Sequence, residues 1–151
     1  MLKNFTVCTA ESCTGGNIAH QITLVAGSSA YYVGGVVSYA NEVKINTLGV
    51  PAEHIQNHGA VSKPVVEAMA TGVRRLMNTD YSIATSGIAG PGGGSVEKPV
   101  GTVWMAVADR ENVYSRLCKF DGTRAEVISQ ATEAAFELFR EKFGFPLAHG
   151  E

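Results

Sequence analysis

Ser12 and Thr14 lie in the run Glu11-Ser12-Cys13-Thr14-Gly15-Gly16, where a short apolar stretch gives way to helical spacing. A hydroxyl at such a strand-to-helix junction sits beside backbone N–H groups without helical partners and beside the positive end of the helix. Those features suit stabilisation of a tetrahedral oxyanion. The same residue types are favoured helix N-caps, so the junction reads either as a cap or as a reactive hydroxyl. An amine follows in Ser38-Tyr39-Ala40-Asn41-Glu42-Val43-Lys44, with a tyrosine close by. Lysine is ordinarily a solvated surface charge. Where burial or a nearby cation lowers its pKa toward neutrality, it can replace histidine as the base that activates serine. The third feature is the stretch 86–102, where glycines at 87, 90, 92, 93, 94 and 101 gather in one loop. Glycine lets successive N–H groups turn inward as an anion-binding nest. Glycine-rich segments also serve as mobile connections, and no P-loop or dinucleotide fingerprint distinguishes this one.

Other chemistries lack their parts. There is no Gly-x-Ser-x-Gly elbow, and histidines at 20, 54, 58 and 149 offer no Ser-His-Asp order. His54 and His58 stand four apart on a short helical segment but lack the carboxylate of a His-Glu-x-x-His site. Ser95 and Lys98 have Ser-x-x-Lys spacing, yet they lie between triple glycine and Pro99, where no helix brings them together. Cys13 has no evident histidine to activate it. Three cysteines are an odd number at spacings that match no zinc site, which points to free thiols in a reducing compartment.

Apolar periodicity supplies the elements that must carry these groups. Strands are expected at residues 4–10, 31–39, beginning at Tyr81, at 100–108 and at 112–120. Helices are expected after Gly16 with Ile18, Ala19, Ile22 and Val25 on one face, from Asn41 toward Leu48, at 52–57, from Pro64 to about Met77, and from Thr123 to about Phe143. Val65, Met69, Val73 and Leu76 or Met77 would face the core from the fourth, and Val127, Ile128, Ala131, Ala135, Leu138 and Phe139 from the last. Thr123 with Glu126 three residues on has capping-box spacing. This order argues for a layered α/β domain with a mixed sheet covered on both faces, one domain over 1–151. Net charge is −2 and the pI is near 6.1, with no run of lysine or arginine, so neither nucleic acid nor membrane surface is an expected partner. No signal-peptide core opens the chain and no apolar run spans a bilayer, so a cytoplasmic protein is expected.

The blocks 10–16, 38–44, 58–62, 86–91 and 98–103, taken together and in this order, closely resemble the CinA C-terminal domain family. The resemblance implies a three-layer α/β/α sandwich with a mixed, mostly parallel sheet, and a homodimer. It implies hydrolysis of the carboxamide of nicotinamide mononucleotide to nicotinate mononucleotide and ammonia, with no metal and no cofactor, in pyridine nucleotide salvage. Carried over by motif, the catalytic residues are Ser12, Ser29, Tyr39 and Lys44, with Ser12 or Ser29 as nucleophile and Lys44 as base. Glu11, Cys13, Thr14, Ser86, Gly87, Gly90, Gly92, Gly93 and Arg124 are the substrate-binding set, the glycine loop and Arg124 taking the phosphate. An arginine in the first turn of a helix opposes the helix dipole, which is consistent with such a purpose. Some family members do not turn the nucleotide over, so a nucleotide-binding module of the same fold is the alternative.

Overall fold

The computed structural model describes residues 4–148; His149 lies outside them. In chain order the elements are β1 (Val7–Glu11), α1 (Asn17–Thr23), a 3-10 turn (Ser28–Ala30), β2 (Tyr32–Val37), α2 (Asn41–Asn46), α3 (Ala52–His58), α4 (Lys63–Met77), β3 (Tyr81–Gly87), β4 (Thr102–Ala108), β5 (Val113–Lys119) and α5 (Arg124–Phe143). The strands form one five-stranded sheet in the order β2-β1-β3-β4-β5. β1 pairs in parallel with β2 and β3, and β4 runs antiparallel to both β3 and β5. Every strand except β4 therefore points the same way, giving the mixed sheet that the α/β alternation predicts.

Because alternate residues of a strand face opposite sides, β1 and β4 each feed two cores. Val7, Ile83, Val103, Met105 and Val107 pack under α1 and α5 with Ile18, Ile22, Ala135 and Phe139. Cys8, Ala10, Ala84, Ala106 and Ala108 pack under Val65, Val66, Met69 and Val73 of α4. The α4 face of the central strands thus carries mostly small side chains, which lets the helix lie close to the sheet. Of the two alternatives at its end, Leu76 turns to solvent and Met77 packs inward.

The capping box forms as its spacing predicts: the Glu126 N–H donates to Thr123 Oγ1 and the Thr123 N–H to Glu126 Oε1. The start of α1 differs from expectation. Its N-cap is Gly16, at φ 106°, and neither Ser12 nor Thr14 caps it. The helix also ends at Thr23, leaving Val25 in the turn that follows.

Connectivity places the site. The chain leaves β1 through α1 to β2 on one side, then crosses through α2, α3 and α4 to β3 on the other side of β1. Strand order reverses there, and such switch points leave a crevice beyond the carboxyl ends of the strands. The register pairs Gly87 with Val103 and Thr102 with Lys119, so the glycine loop and the first turn of α5 reach the same end of the sheet.

Candidate active site

Ser12 follows β1, Ser38 and Tyr39 follow β2, and Ser86 and Gly87 close β3, so topology alone gathers them at the crevice. A cleft of about 220 Å³ lies among them, lined by Ser12, Cys13, Tyr39, Asn41, Lys44, Ala60, Val61, Ser86, Gly87 and Ala89. A larger surface concavity of about 370 Å³ lies against the last turns of α5, lined by Glu133, Phe136, Glu137 and Arg140, but it holds no nucleophile.

Lys44 is the pivot of this cleft. Only 1% of the residue is exposed, which overturns the usual expectation of a solvated lysine. It sits one turn into α2, and the helix turns its side chain back beneath the end of β2. Its Nζ donates to Ser38 O at 2.7 Å, to Tyr39 O at 3.3 Å and to Ser12 Oγ at 3.2 Å. All three partners are neutral oxygens, and among the described residues no carboxylate pairs with the amine. Burial consequently pulls the Lys44 pKa below its ordinary 10.5, against a smaller opposing influence from Cys13. An ammonium fills these three positions with three N–H bonds. A neutral amine keeps two for the carbonyls and offers its lone pair to the Ser12 hydroxyl, so the geometry accommodates both states.

Ser12 itself is 8% exposed, and its backbone is tied to β3 by its N–H bond to Thr85 O. Gly15 N donates to Ser12 O, closing a turn whose two central residues are Cys13 and Thr14. Neither of their N–H groups donates to a backbone carbonyl among the described residues. These are the donors available to an oxyanion formed at Ser12. The Cys13 thiol is buried beside them and pushed up to about 12 by desolvation, so it stays protonated and is a poor nucleophile.

Several expected site residues have other occupations. Glu11, expected to touch substrate, is 1% exposed and points under α1. Its carboxylate accepts from Thr14 Oγ1, from the N–H groups of Gly16 and Ile18, and from that of Ala19. The helix end thereby receives an internal anion. Thr14 is likewise buried, its hydroxyl donating to Glu11 and meeting Thr85 Oγ1 at 2.8 Å. Ser29 lies exposed on the 3-10 turn that leads into β2. That turn is at the amino end of the parallel strands, a strand length from Ser12 and Lys44, so a single chain does not bring Ser29 to the amine. Tyr39 meets Lys44 through its carbonyl, not its ring. Its phenol, on a residue 59% exposed, accepts from Arg124 Nη2 at 2.8 Å across the mouth of the cleft.

Arg124 also donates through Nη1 to Gly90 O at 2.6 Å, and among the described residues no acidic side chain neutralises it. Gly90, at φ 88°, leaves no room for a Cβ beside Val100, so the loop turns there only as glycine. Ser86 lines the cleft while its hydroxyl donates to Ala60 O. Gly87 also borders it, whereas Gly92 and Gly93 lie on the exposed outer part of the loop and do not line it. Lys98 pins that loop to the end of α3 through Nζ to His58 O.

Sequence reasoning missed the lining residues Asn41, Ala60, Val61 and Ala89. Asn41 was visible beside Lys44, but the other three are aliphatic and carry no chemical signal. It missed Ser38 too, whose carbonyl holds Lys44 and whose own buried hydroxyl has no hydrogen-bond partner among the described residues. Among the described residues no group of His, Cys, Asp and Glu gathers as a metal site, and no helix is long and apolar enough to cross a membrane.

A mixed α/β sheet with a lysine–serine pair at its switch point defines the class, and comparison with known proteins sharpens it. The family model for the CinA C-terminal domain matches residues 1–143. This chain belongs to the CinA C-terminal domain family. It is 51% identical over 143 residues to the nicotinamide-nucleotide amidohydrolase PncC of Escherichia coli K12, covering 93% of this chain and 86% of that protein. A CinA-like protein of Shewanella piezotolerans is 49% identical over 91% of this chain, which spans only 32% of that relative's length. The chain spans about a third of the other longer CinA-like relatives as well. Among solved structures, the competence damage-inducible protein A of Klebsiella pneumoniae superposes with a TM-score of 0.89 at 39% identity, covering 93% of this chain and 87% of that one. The competence/damage inducible protein CihA of Agrobacterium tumefaciens gives 0.88 at 42%, covering 91% and 84%.

Proposed function

We propose that this chain is a nicotinamide-nucleotide amidohydrolase that converts nicotinamide mononucleotide and water into nicotinate mononucleotide and ammonia. The observation that carries the reading is Lys44: buried, without a counter-ion among the described residues, and 3.2 Å from the Ser12 hydroxyl. The relationship to PncC supports the choice of substrate class.

In this mechanism Ser12 Oγ attacks the carboxamide carbon while its proton passes to the neutral Lys44 amine. The carbonyl oxygen becomes an oxyanion facing the N–H groups of Cys13 and Thr14, donors of a kind worth about 3–4 kcal/mol each in such sites. Collapse expels the amide nitrogen, which takes the proton from Lys44 and departs as ammonia. The resulting ester on Ser12 is then attacked by water, whose proton goes to Lys44. Collapse of that second adduct releases the carboxylic acid, which ionises to the carboxylate in solvent, while Lys44 returns its proton to Ser12. The cationic pyridinium disfavours a second positive charge nearby and so helps to keep Lys44 neutral. At the other end, Arg124 and the inner glycine loop receive the phosphate, the guanidinium exchanging two neutral acceptors for an anion.

Ammonia release from nicotinamide mononucleotide, followed for the natural chain and for Ser12→Ala and Lys44→Ala, tests the reading. Turnover abolished in both variants supports it. Calorimetric binding of the nucleotide without ammonia release by the natural chain would overturn it in favour of a binding module.

A further inference from the structure

We propose that Glu11 is a positioning residue for the nucleophile turn: its buried carboxylate holds residues 12–15 in the shape that keeps the N–H groups of Cys13 and Thr14 clear of backbone acceptors beside the Ser12 hydroxyl. The inference rests on the reading of Ser12 as nucleophile. Glu11 is the last residue of β1 and immediately precedes Ser12, so its backbone is held by the sheet while its side chain reaches forward under the turn. Oε1 accepts from Thr14 Oγ1 at 2.6 Å, from Gly16 N at 3.2 Å and from Ile18 N at 2.8 Å, and Oε2 from Ala19 N at 2.9 Å. One donor, Thr14, belongs to the turn and the other three, Gly16, Ile18 and Ala19, to the start of α1, so one carboxylate ties the turn to the helix.

Hydroxyl bookkeeping fixes a direction. Thr14 has one hydroxyl proton and gives it to Glu11, so its contact with Thr85 Oγ1 must be one it accepts. Thr85 also takes the Ser12 N–H through its carbonyl. The turn is therefore held from β3 above and by an anion below, and among the described residues the N–H groups of Cys13 and Thr14 have no backbone acceptor, that of Cys13 facing its own thiol. A buried carboxylate is costly unless fully hydrogen-bonded, and this one is compensated by donors within eight residues of itself in sequence. Position and charge both matter. An amide in the same place would turn an NH₂ toward the Ala19 N–H or toward the three donors at Oε1.

The experiment compares the natural chain with Glu11→Gln and Glu11→Asp, and reads three quantities. These are kcat and KM for nicotinamide mononucleotide, product affinity by calorimetry, and the rate at which a fluorophosphonate labels Ser12, with Ser12→Ala as the unlabelled control. For Glu11→Gln, kcat and labelling rate are expected to fall by about 10²-fold, the scale of losing one oxyanion donor. KM and product affinity are expected to stay within about threefold, because the distant phosphate contacts are intact. Glu11→Asp, which keeps the charge, is expected to recover part of the loss. Wild-type kcat and labelling in folded Glu11→Gln would overturn the proposal, as would a loss that vanishes when rates are expressed per folded molecule. If the natural chain labels at Ser12 but releases no ammonia, the proposed substrate is wrong, and the labelling rates still decide the role of Glu11.

Discussion

Lys44 commits its amine to three neutral oxygens and to no acid, an arrangement that favours reactivity over stability. A buried cation without a partner charge destabilises the native state. Replacing it by methionine, of similar length and apolar, is expected to lower turnover by at least about 10³-fold, as loss of a catalytic base does. The unfolding midpoint should hold or rise. The same pair carries a pH signature. Between the lowered native pKa of Lys44 and its ordinary 10.5, the unfolded chain holds a proton that the native chain lacks. Stability from this group therefore rises with pH across that window. Denaturation midpoints measured over a pH series should show that slope in the natural chain and lose it in Lys44→Met. For Arg124, substitution by lysine keeps the charge but not the planar fork that now spans Gly90 O and Tyr39 Oη. Steady-state kinetics should show KM raised about tenfold or more with kcat changed far less.

At the scale of elements, the first turn of α5 does two jobs. Its capping box satisfies helix N–H groups, and its next residue is Arg124. Thr123→Ala is expected to cost about 1 kcal/mol in chemical denaturation. It should also raise KM, because the guanidinium loses its fixed point of departure, while the rate of Ser12 labelling stays unchanged at the other end of the cleft. The two helix starts at the site are solved differently. At α5 a threonine and a glutamate of the same first turn cap each other, and their spacing is a local sequence pattern. At α1 the acceptor is Glu11, which reaches from the preceding strand across the turn, a geometry that Ser12 and Thr14 as good N-cap types concealed.

For the molecule as a whole, both cores share the same strands: Ile83 and Ala84 are neighbours on β3 but belong to opposite faces. Loss of either helix layer removes one side of the sheet, so the two cores should unfold together. Trp104, the chain's one tryptophan, packs against the α4-side core, whereas helical circular dichroism reports α5 as well. Their denaturation curves are expected to coincide, and separated midpoints would show the layers to be independent.

What the sequence determined by itself was local: the order of strands and helices, most of the buried faces of α4 and α5, the Thr123–Glu126 cap, and the blocks that mark the family. Periodicities of two and 3.6 residues and capping spacings are carried by near neighbours, so they are readable without a fold. Only the tertiary structure decided that Lys44 is buried and meets Ser12 from 32 positions away, that Arg124 faces the same cleft, and that Ser29 lies at the far end of the strands. That the Glu11 carboxylate takes N–H groups of α1 likewise showed only in the folded chain. Those outcomes depend on which strand lies next to which and on which end each connection returns to. That is a property of the order β2-β1-β3-β4-β5 and not of any short stretch of residues.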